Sequence, residues 1–367
     1  MVSRRQFTLS GLAVAGMAPA LQACTAESGA PSYQQASVET WRHGKLDATD
    51  GTLVQRELVR YATLAPSSHN TQCWKFRLSP SAIEILPDLS RRCPAVDPDD
   101  HHLFVSLGCA SENLVQAALA HGLKGDAVYD TASNAVRIGL EPTRAFASAL
   151  FQAIPQRQCT RGDYDGKPLS TDELALLQQA GSGQGVQLML LTERAAMEQT
   201  LDYVVQGNTA QMNDPAFVAE LKAWIRFSAS DAVRTGDGLY AASSGNPSLP
   251  AWLGRPMFGL FFTPKSENDK YARQVRSSAG IAVFVGRRAD KASWVEVGRA
   301  YERFALQSAA LGIRNAFVNQ PVEVASLRPQ FANSLGLGAL RPDLVVRFGR
   351  GPKLPASLRR PVQSVLV

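Results

Sequence analysis

The chain has 367 residues, 45% of them hydrophobic and 19% charged, with a formal net charge of +6. That balance fits a globular protein of about two ordinary domains, with room for a sizeable core. The positive charge is spread without a long basic run, which argues against nucleic acid or another polyanion as partner.

Residues 1–23 stand apart. Ser3, the pair Arg4-Arg5 and Phe7 precede an apolar run of small residues from Gly11 to Ala20. The run is too short to span a bilayer, which takes about 20 residues. The pattern resembles a twin-arginine export signal. Leu21-Gln22-Ala23-Cys24 resembles a lipobox, with Cys24 lipidated as the first residue of the mature chain. The alternative is an ordinary cleaved signal with Cys24 unmodified, since Gln22 is not the small residue preferred there. This reading expects a periplasmic or cell-envelope protein that touches a membrane only through its lipid. The twin-arginine route carries folded proteins, often with a cofactor already bound. Residues 24–40 read as a linker, its Ser, Gly, Ala, Pro and Gln opening it into a tether.

The spacing predicts a helix from Val54 to Leu64, then a polar loop, "APSSHNTQCW". "WKFRL" and "AIEIL" alternate as two strands about a turn at Ser79-Pro80-Ser81. "HLFVSLGCASENLVQAALAHGL" is a long helix stopped by Gly122, and "DAVYD" and "AVRIGL" are further strands. Near Phe146 the pattern restarts: a helix, then "RQCTRGDYDGKPLSTDE", a strand "GVQLMLLT", a long helix "WVEVGRAYERFALQSAALGI" and a strand in "ALRPDLVVRFGRG". The similarity of the two long helices predicts an internal duplication. Asp214 to Phe262, rich in Gly, Pro, Ser and Trp, is too long for a simple connection and reads as a lid. Its flanking Trp224 and Trp252 read as packing anchors.

"APSSHNTQCW" resembles the serine–asparagine motif of the nitroreductase superfamily, with Ser67, Ser68 and Asn70 at matching positions and Cys73 where the family has proline. There the segment lies against flavin mononucleotide (FMN). Short polar side chains on a tight turn offer donors to a flavin without filling its slot. "RQCTRGDYDGKPL" resembles the family's opening motif, whose two arginines grip the flavin phosphate. Arg157 and Arg161 hold that spacing, and Arg suits the role through its planar, charge-assisted fork. Four residues apart, they are expected on one helical face or turn. The C-terminal "LRRPVQSVL" resembles the family's last basic segment, with Arg360 or Arg359 reaching the same phosphate; the family position for donors near the flavin ring falls at Arg314 to Phe317.

The two motifs are split. The serine loop lies early in the chain and the arginine pair late; at the other two matching places stand "AGSGQGV" and "RHGKL", where Arg42 has a counterpart but Leu46 replaces the second arginine. The resemblance therefore implies an α+β fold of two tandem nitroreductase-like halves, 41–150 and 151–367. They would form an internal pseudo-dimer in a monomer, with a lid near 214–262 and one complete FMN site. It implies an oxidoreductase passing electrons to a small acceptor, a nitro compound or quinone, with no catalytic side-chain acid or base. The alternatives are a lidded protein that sequesters flavin, and an envelope lipoprotein that has lost its cofactor. No metal is expected: neighbouring histidines in "DDHH" (99–102) point different ways and lack ligand spacing. "GSGQG" precedes a strand instead of following one, so it is no dinucleotide fingerprint. Cys73, Cys93, Cys109 and Cys159 form no CxxC pair and read as buried or incidental thiols.

Overall fold

The computed structural model describes residues 31–44, 51–183 and 185–367. The leader of 1–23 and Cys24 lie outside the described residues. Ser32–Val367 forms one compact unit. It begins with helix α1 (Tyr33–Thr40), where Ser32 and Gln35 cap each other reciprocally. The linker reading of 24–40 is thus corrected over its last part: the Tyr33 ring packs 4.5 Å from Tyr240, and Trp41 Nε1 donates to the Ser357 carbonyl at 2.9 Å.

Helix α2 (Gly51–Thr63) leads into the polar loop and then strands β1 (Trp74–Ser79) and β2 (Ala82–Pro87), joined by the expected Pro80-Ser81 turn. Helix α3 (His101–Ala120) follows, then β3 (Leu123–Asp130) and β4 (Ala135–Pro142). A short α4 (Ala149–Ala153) and α5 (Thr171–Gly181), with its Ser170–Glu173 capping box, lead to β5 (Val186–Leu191). A long insertion comes next: α6 (Arg194–Met212), α7 (Pro215–Trp224), β6 (Ile225–Arg226), α8 (Ala229–Thr235), β7 (Leu239–Tyr240), α9 (Ala251–Phe261) and α10 (Pro264–Arg276). The chain closes with β8 (Gly280–Gly286), α11 (Lys291–Ala310), β9 (Arg314–Phe317), α12 (Gln320–Glu323), α13 (Arg328–Ser334) and β10 (Pro342–Gly349).

The fold is α+β, with two antiparallel four-stranded sheets ordered β1-β2-β4-β3 and β5-β8-β10-β9. Each central helix runs between the second strand of its sheet and the edge strand that follows. Setting His101 against Lys291 places Gly108 on Gly298, Glu112 on Glu302 and Gly122 on Gly312. Gly122 and Gly312 end their helices at φ 75° and 70°, a left-handed conformation that costs glycine little. The two helices touch backbone to backbone. A Cβ on Gly108 would meet the Val295 carbonyl at 2.1 Å, and one on Gly298 the Val105 carbonyl at 2.0 Å. The contact is reciprocal, as in an isologous interface.

α3 is apolar and long enough to cross a membrane by length and composition, yet 83% of its apolar window is buried in this fold. It lies in the main core, which spans both sheets through Phe76, Ile85, Phe104, Phe304 and Phe348. A second core of Met197, Leu201, Ile281, Val283 and Phe331 covers the far face of the second sheet. The last residues add to the edge of β1: Phe76 N–H donates to the Val365 carbonyl at 2.7 Å and Val367 N–H to the Phe76 carbonyl at 3.0 Å. Trp252 is 78% exposed, so the packing role read for it does not hold. Trp224 lies under the guanidinium groups of Arg91 and Arg226.

Candidate functional site

The loop after α2 is bent to an unusual degree. His69, Asn70 and Gln72 all take positive φ, between 50° and 53°. Such values are uncommon outside glycine and persist where surrounding structure imposes them. Asn70 is buried and its amide is fully engaged: Nδ2 donates to the Gly238 and Leu358 carbonyls, and Oδ1 accepts from Arg359 at 3.0 Å. Gln72 Nε2 donates to the Gly236 carbonyl at 2.8 Å, while its Oε1 accepts the Arg360 amide. The loop is thereby fastened to the insertion and the C-terminal tail. Ser67 Oγ accepts from the Gln72 amide at 2.9 Å.

The segment 157–164 forms the opposite wall. It is extended, not helical, with Cys159 bridged to Asn315 at the edge of β9. The helical spacing read for Arg157 and Arg161 is therefore corrected: residues four apart in an extended chain share a face through the period of two. Arg157 is buried. Its Nε lies 3.1 Å from Glu302 and its Nη2 donates to the Leu64 carbonyl at 2.6 Å. Burial raises the Glu302 carboxyl to about 7, with Arg157 opposing the shift.

The backbone around Arg161 is held rigidly. Its carbonyl accepts from Gln274 at 2.6 Å. The fully buried Arg347 donates to the carbonyls of Thr160 and Gly162. The Arg161 guanidinium itself makes no hydrogen bond or ion pair among the described residues.

Two adjoining cavities meet there. The larger, about 180 Å³, is bordered by Ser67, Ser68, His69, Val105, Cys109 and Leu344, with Phe217, Leu221, Leu239 and Phe262 from the inserted segment. The smaller, about 50 Å³, is bordered by Trp41, Asn70, Arg157, Cys159 and Arg359. Pro66, Ser67, Arg161, Leu239 and Phe317 border both. Burial and Arg161 push the His69 imidazole down to about 4, so it is neutral at neutral pH.

Of the residues read from sequence, Ser67, Ser68, Asn70, Arg157 and Arg161 come together at this cleft. Arg314 borders neither cavity and reaches the Gly351 carbonyl from β9. Phe317, at the end of the same strand, does line both. Arg360 turns away toward the carbonyls of Gln72 and Ser364. Its neighbour Arg359 faces the smaller cavity instead, donating to the carbonyls of Thr63, Leu64 and Ala65 at the end of α2. Burial and Arg157 lower the Arg359 guanidinium to about 9.

Sequence reasoning missed His102, Gln211, Gln320 and Glu323, all on the larger cavity. His102 was visible in "DDHH", but nothing local showed which way it points. It lies 3.8 Å from Glu323, while His101 lies 2.9 Å from Asp343 and accepts from Arg341.

No protein-family model matches the chain. It is 26% identical over 328 residues to a Mycobacterium tuberculosis protein named "Putative NAD(P)H nitroreductase", in each of two strains, covering 85% of this chain and 90% of the relative. Among solved structures, a Bacteroides fragilis nitroreductase with bound FMN overlays 56% of this chain and 89% of its own, at 15% identity and TM-score 0.34. An FMN-dependent nitroreductase from Mycobacterium smegmatis in complex with NADPH overlays 55% and 87%, at 11% identity and TM-score 0.36.

Proposed function

We propose that the chain is nitroreductase-like and holds one FMN-binding site, in the cleft between the Ser67–Asn70 loop and the Arg157–Arg161 segment. The observation that carries this reading is Arg161: a guanidinium without a partner among the described residues, on backbone held by Gln274 and Arg347, at the junction of two cavities. A cation so placed favours a bound anion, and a flavin phosphate supplies two negative charges. Arg359 adds positive charge beside the smaller cavity. The residues fit the group: the polar loop and cations border one cavity, and Val105, Cys109, Phe317 and Leu344 offer the other an apolar wall.

Bound there, FMN would supply hydride and electron transfer to a small acceptor such as a nitro compound or quinone. The chain's own residues bind, orient and exclude water. Ser68 offers a hydroxyl that has no partner among the described residues, and neutral His69 adds no charge to the larger cavity. The matching sheet orders and the reciprocal α3–α11 contact support reading the chain as an internal pseudo-dimer with one complete site. The amino-terminal pattern supports export by the twin-arginine route and lipidation at Cys24. Replacing Arg4 and Arg5 with Lys should then retain folded protein in the cytoplasm, and Cys24→Ser should release it from membranes.

A second reading has its own observation. Phe217, Leu221, Leu239 and Phe262 wall the larger cavity, and Gly236 and Gly238 are stitched to the loop through Gln72 and Asn70. An insertion so attached would favour holding a flavin over turning it over. The absorption spectrum of purified protein decides between them. Bound FMN near one per chain, bleached by NADH or NADPH and restored by a nitro compound or quinone, supports the oxidoreductase. Bound FMN that resists bleaching supports sequestration. A colourless protein that fails to take up FMN defeats both.

A further inference from the structure

Behind the wall of the larger cavity, three side chains from separate stretches converge. His69 of the loop, Cys93 on the segment after β2, and Glu220 of α7 each offer a ligand atom, and these atoms lie within 4.8 Å of one another. The His69 Nε2 atom is buried without a hydrogen-bond partner. Its backbone is held at φ 50°, so the ring is placed at the expense of local strain. Cys93 is a free thiol, only 4% exposed. The Glu220 carboxylate is aimed by the amides of Ala95 at 2.9 Å and Val96 at 3.2 Å, a supporting shell of the kind that orients metal ligands.

We propose that His69, Cys93 and Glu220 form a binding site for a zinc-class divalent cation that fastens α7 to the loop bordering the cleft. The donor set is one imidazole nitrogen, one thiolate sulfur and one carboxylate oxygen, which suits a borderline-soft ion of tetrahedral preference and leaves a fourth position for water. As the metal–sulfur bond forms, the Cys93 thiol proton leaves to solvent. Thiolate and carboxylate then carry two negative charges, which a dication neutralises in surroundings that include Val96 and Phe217. A rival cluster, Asp97, His101 and His102, is already spoken for. Asp97 accepts the amides of His102 and Leu103, and His101 lies against Asp343. The proposed site also has a mechanical consequence. His69, Phe217 and Leu221 all border the larger cavity, so the ion would tie together two parts of its wall. The inference does not depend on what the cleft binds.

The test is a titration of the full chain, stripped with chelator, with Co²⁺ as probe and Zn²⁺ as competitor. One Co²⁺ per chain is expected, with a near-ultraviolet thiolate-to-cobalt band that Zn²⁺ abolishes. Cys93→Ser should lose the band and bind Zn²⁺ at least tenfold more weakly. Cys24→Ser and Cys109→Ser should keep the band. Glu220→Gln should keep it but need more metal. Zn²⁺ should raise the melting temperature of the parent chain and leave that of Cys93→Ser unchanged. A parent chain with no thiolate band overturns the proposal, as does an undiminished band in Cys93→Ser. Should that variant fail to fold, the parent titration and Glu220→Gln decide. Flavin content is measured on the same samples, so that a change in the cleft is not mistaken for metal binding.

Discussion

The two sheets share a strand order but not a covering. β8 and β10 are buried along their whole length, because helices of the insertion and α13 pack on the far face of their sheet. β3 and β4 alternate, and their outward residues reach solvent, with Val128 57% exposed. The cause is what joins the first two strands. In the first sheet it is Pro80-Ser81; in the second it is the chain from α6 to α10. A sheet clad on both faces must read as continuous apolar strand, and one clad on a single face as alternation.

The same contrast appears at the ends of α2 and α5. On the α5 side, Arg303 fills its own corner, donating to the carbonyls of Ala180 and Ser182 and to Glu112 at 3.0 Å. The matching residue beside α2 is Asn113, which donates to the Tyr61 carbonyl at 3.3 Å. There Arg157 and Arg359 arrive from distant segments to donate to the Leu64 carbonyl, and Arg161 beside them has no partner among the described residues. The end of α5 is thus capped by an arginine of its own half, and the end of α2 by arginines from distant segments.

The largest effect is expected at the helix contact both sheets depend on. Gly108→Ala and Gly298→Ala each drive a methyl into a carbonyl, and overpacking of this kind costs about 3 kcal/mol. If the contact is truly reciprocal, denaturant melts should show similar losses; a large loss in one and none in the other breaks the equivalence.

Next comes Arg161, beside the α2 corner. Arg161→Ala should weaken FMN by roughly tenfold to a hundredfold, since a hydrogen bond to a charged group contributes about 1.5–3 kcal/mol. Riboflavin, which lacks the phosphate, should barely respond. Equal weakening of both flavins in a binding titration would assign Arg161 a structural role instead.

A pH-dependent effect separates Glu302 from its counterpart Glu112, which has two arginine partners, Arg299 and Arg303. Burial raises Glu302 from its ordinary 4.5 to about 7. Between those values the folded chain keeps a proton that the unfolded chain has released. Its contribution is therefore fully present below 4.5 and is lost as pH rises through about 7, with a slope of at most about 1.4 kcal/mol per unit. Glu302→Gln should flatten that slope in melts taken across the range. An unchanged slope would point to the other buried carboxyls, Asp343 among them.

The smallest effect is expected at Arg42, whose ion pair with Glu39 is exposed and which borders neither cavity. Arg42→Ala should leave FMN stoichiometry and affinity unchanged.

The sequence by itself determined much of the local order. Alternation placed β1 to β4, the run of small and apolar residues placed α3, and Gly122 ended it, because these signals depend on neighbours in the chain. It also marked the serine loop and the Arg157–Arg161 segment, whose residue types are unusual together. What it missed was set by contacts between distant segments. The helical alternative for Arg157 and Arg161 failed because Cys159, between them, is bridged to Asn315 of β9. Arg359 and Arg360 are alike in sequence, and only the path of the tail past α2 decides which faces the cleft. His69, Cys93 and Glu220 carry no shared spacing at all. Side-chain direction at such positions is a property of packing, and packing exists only once the insertion, the loop and the tail have closed on one another.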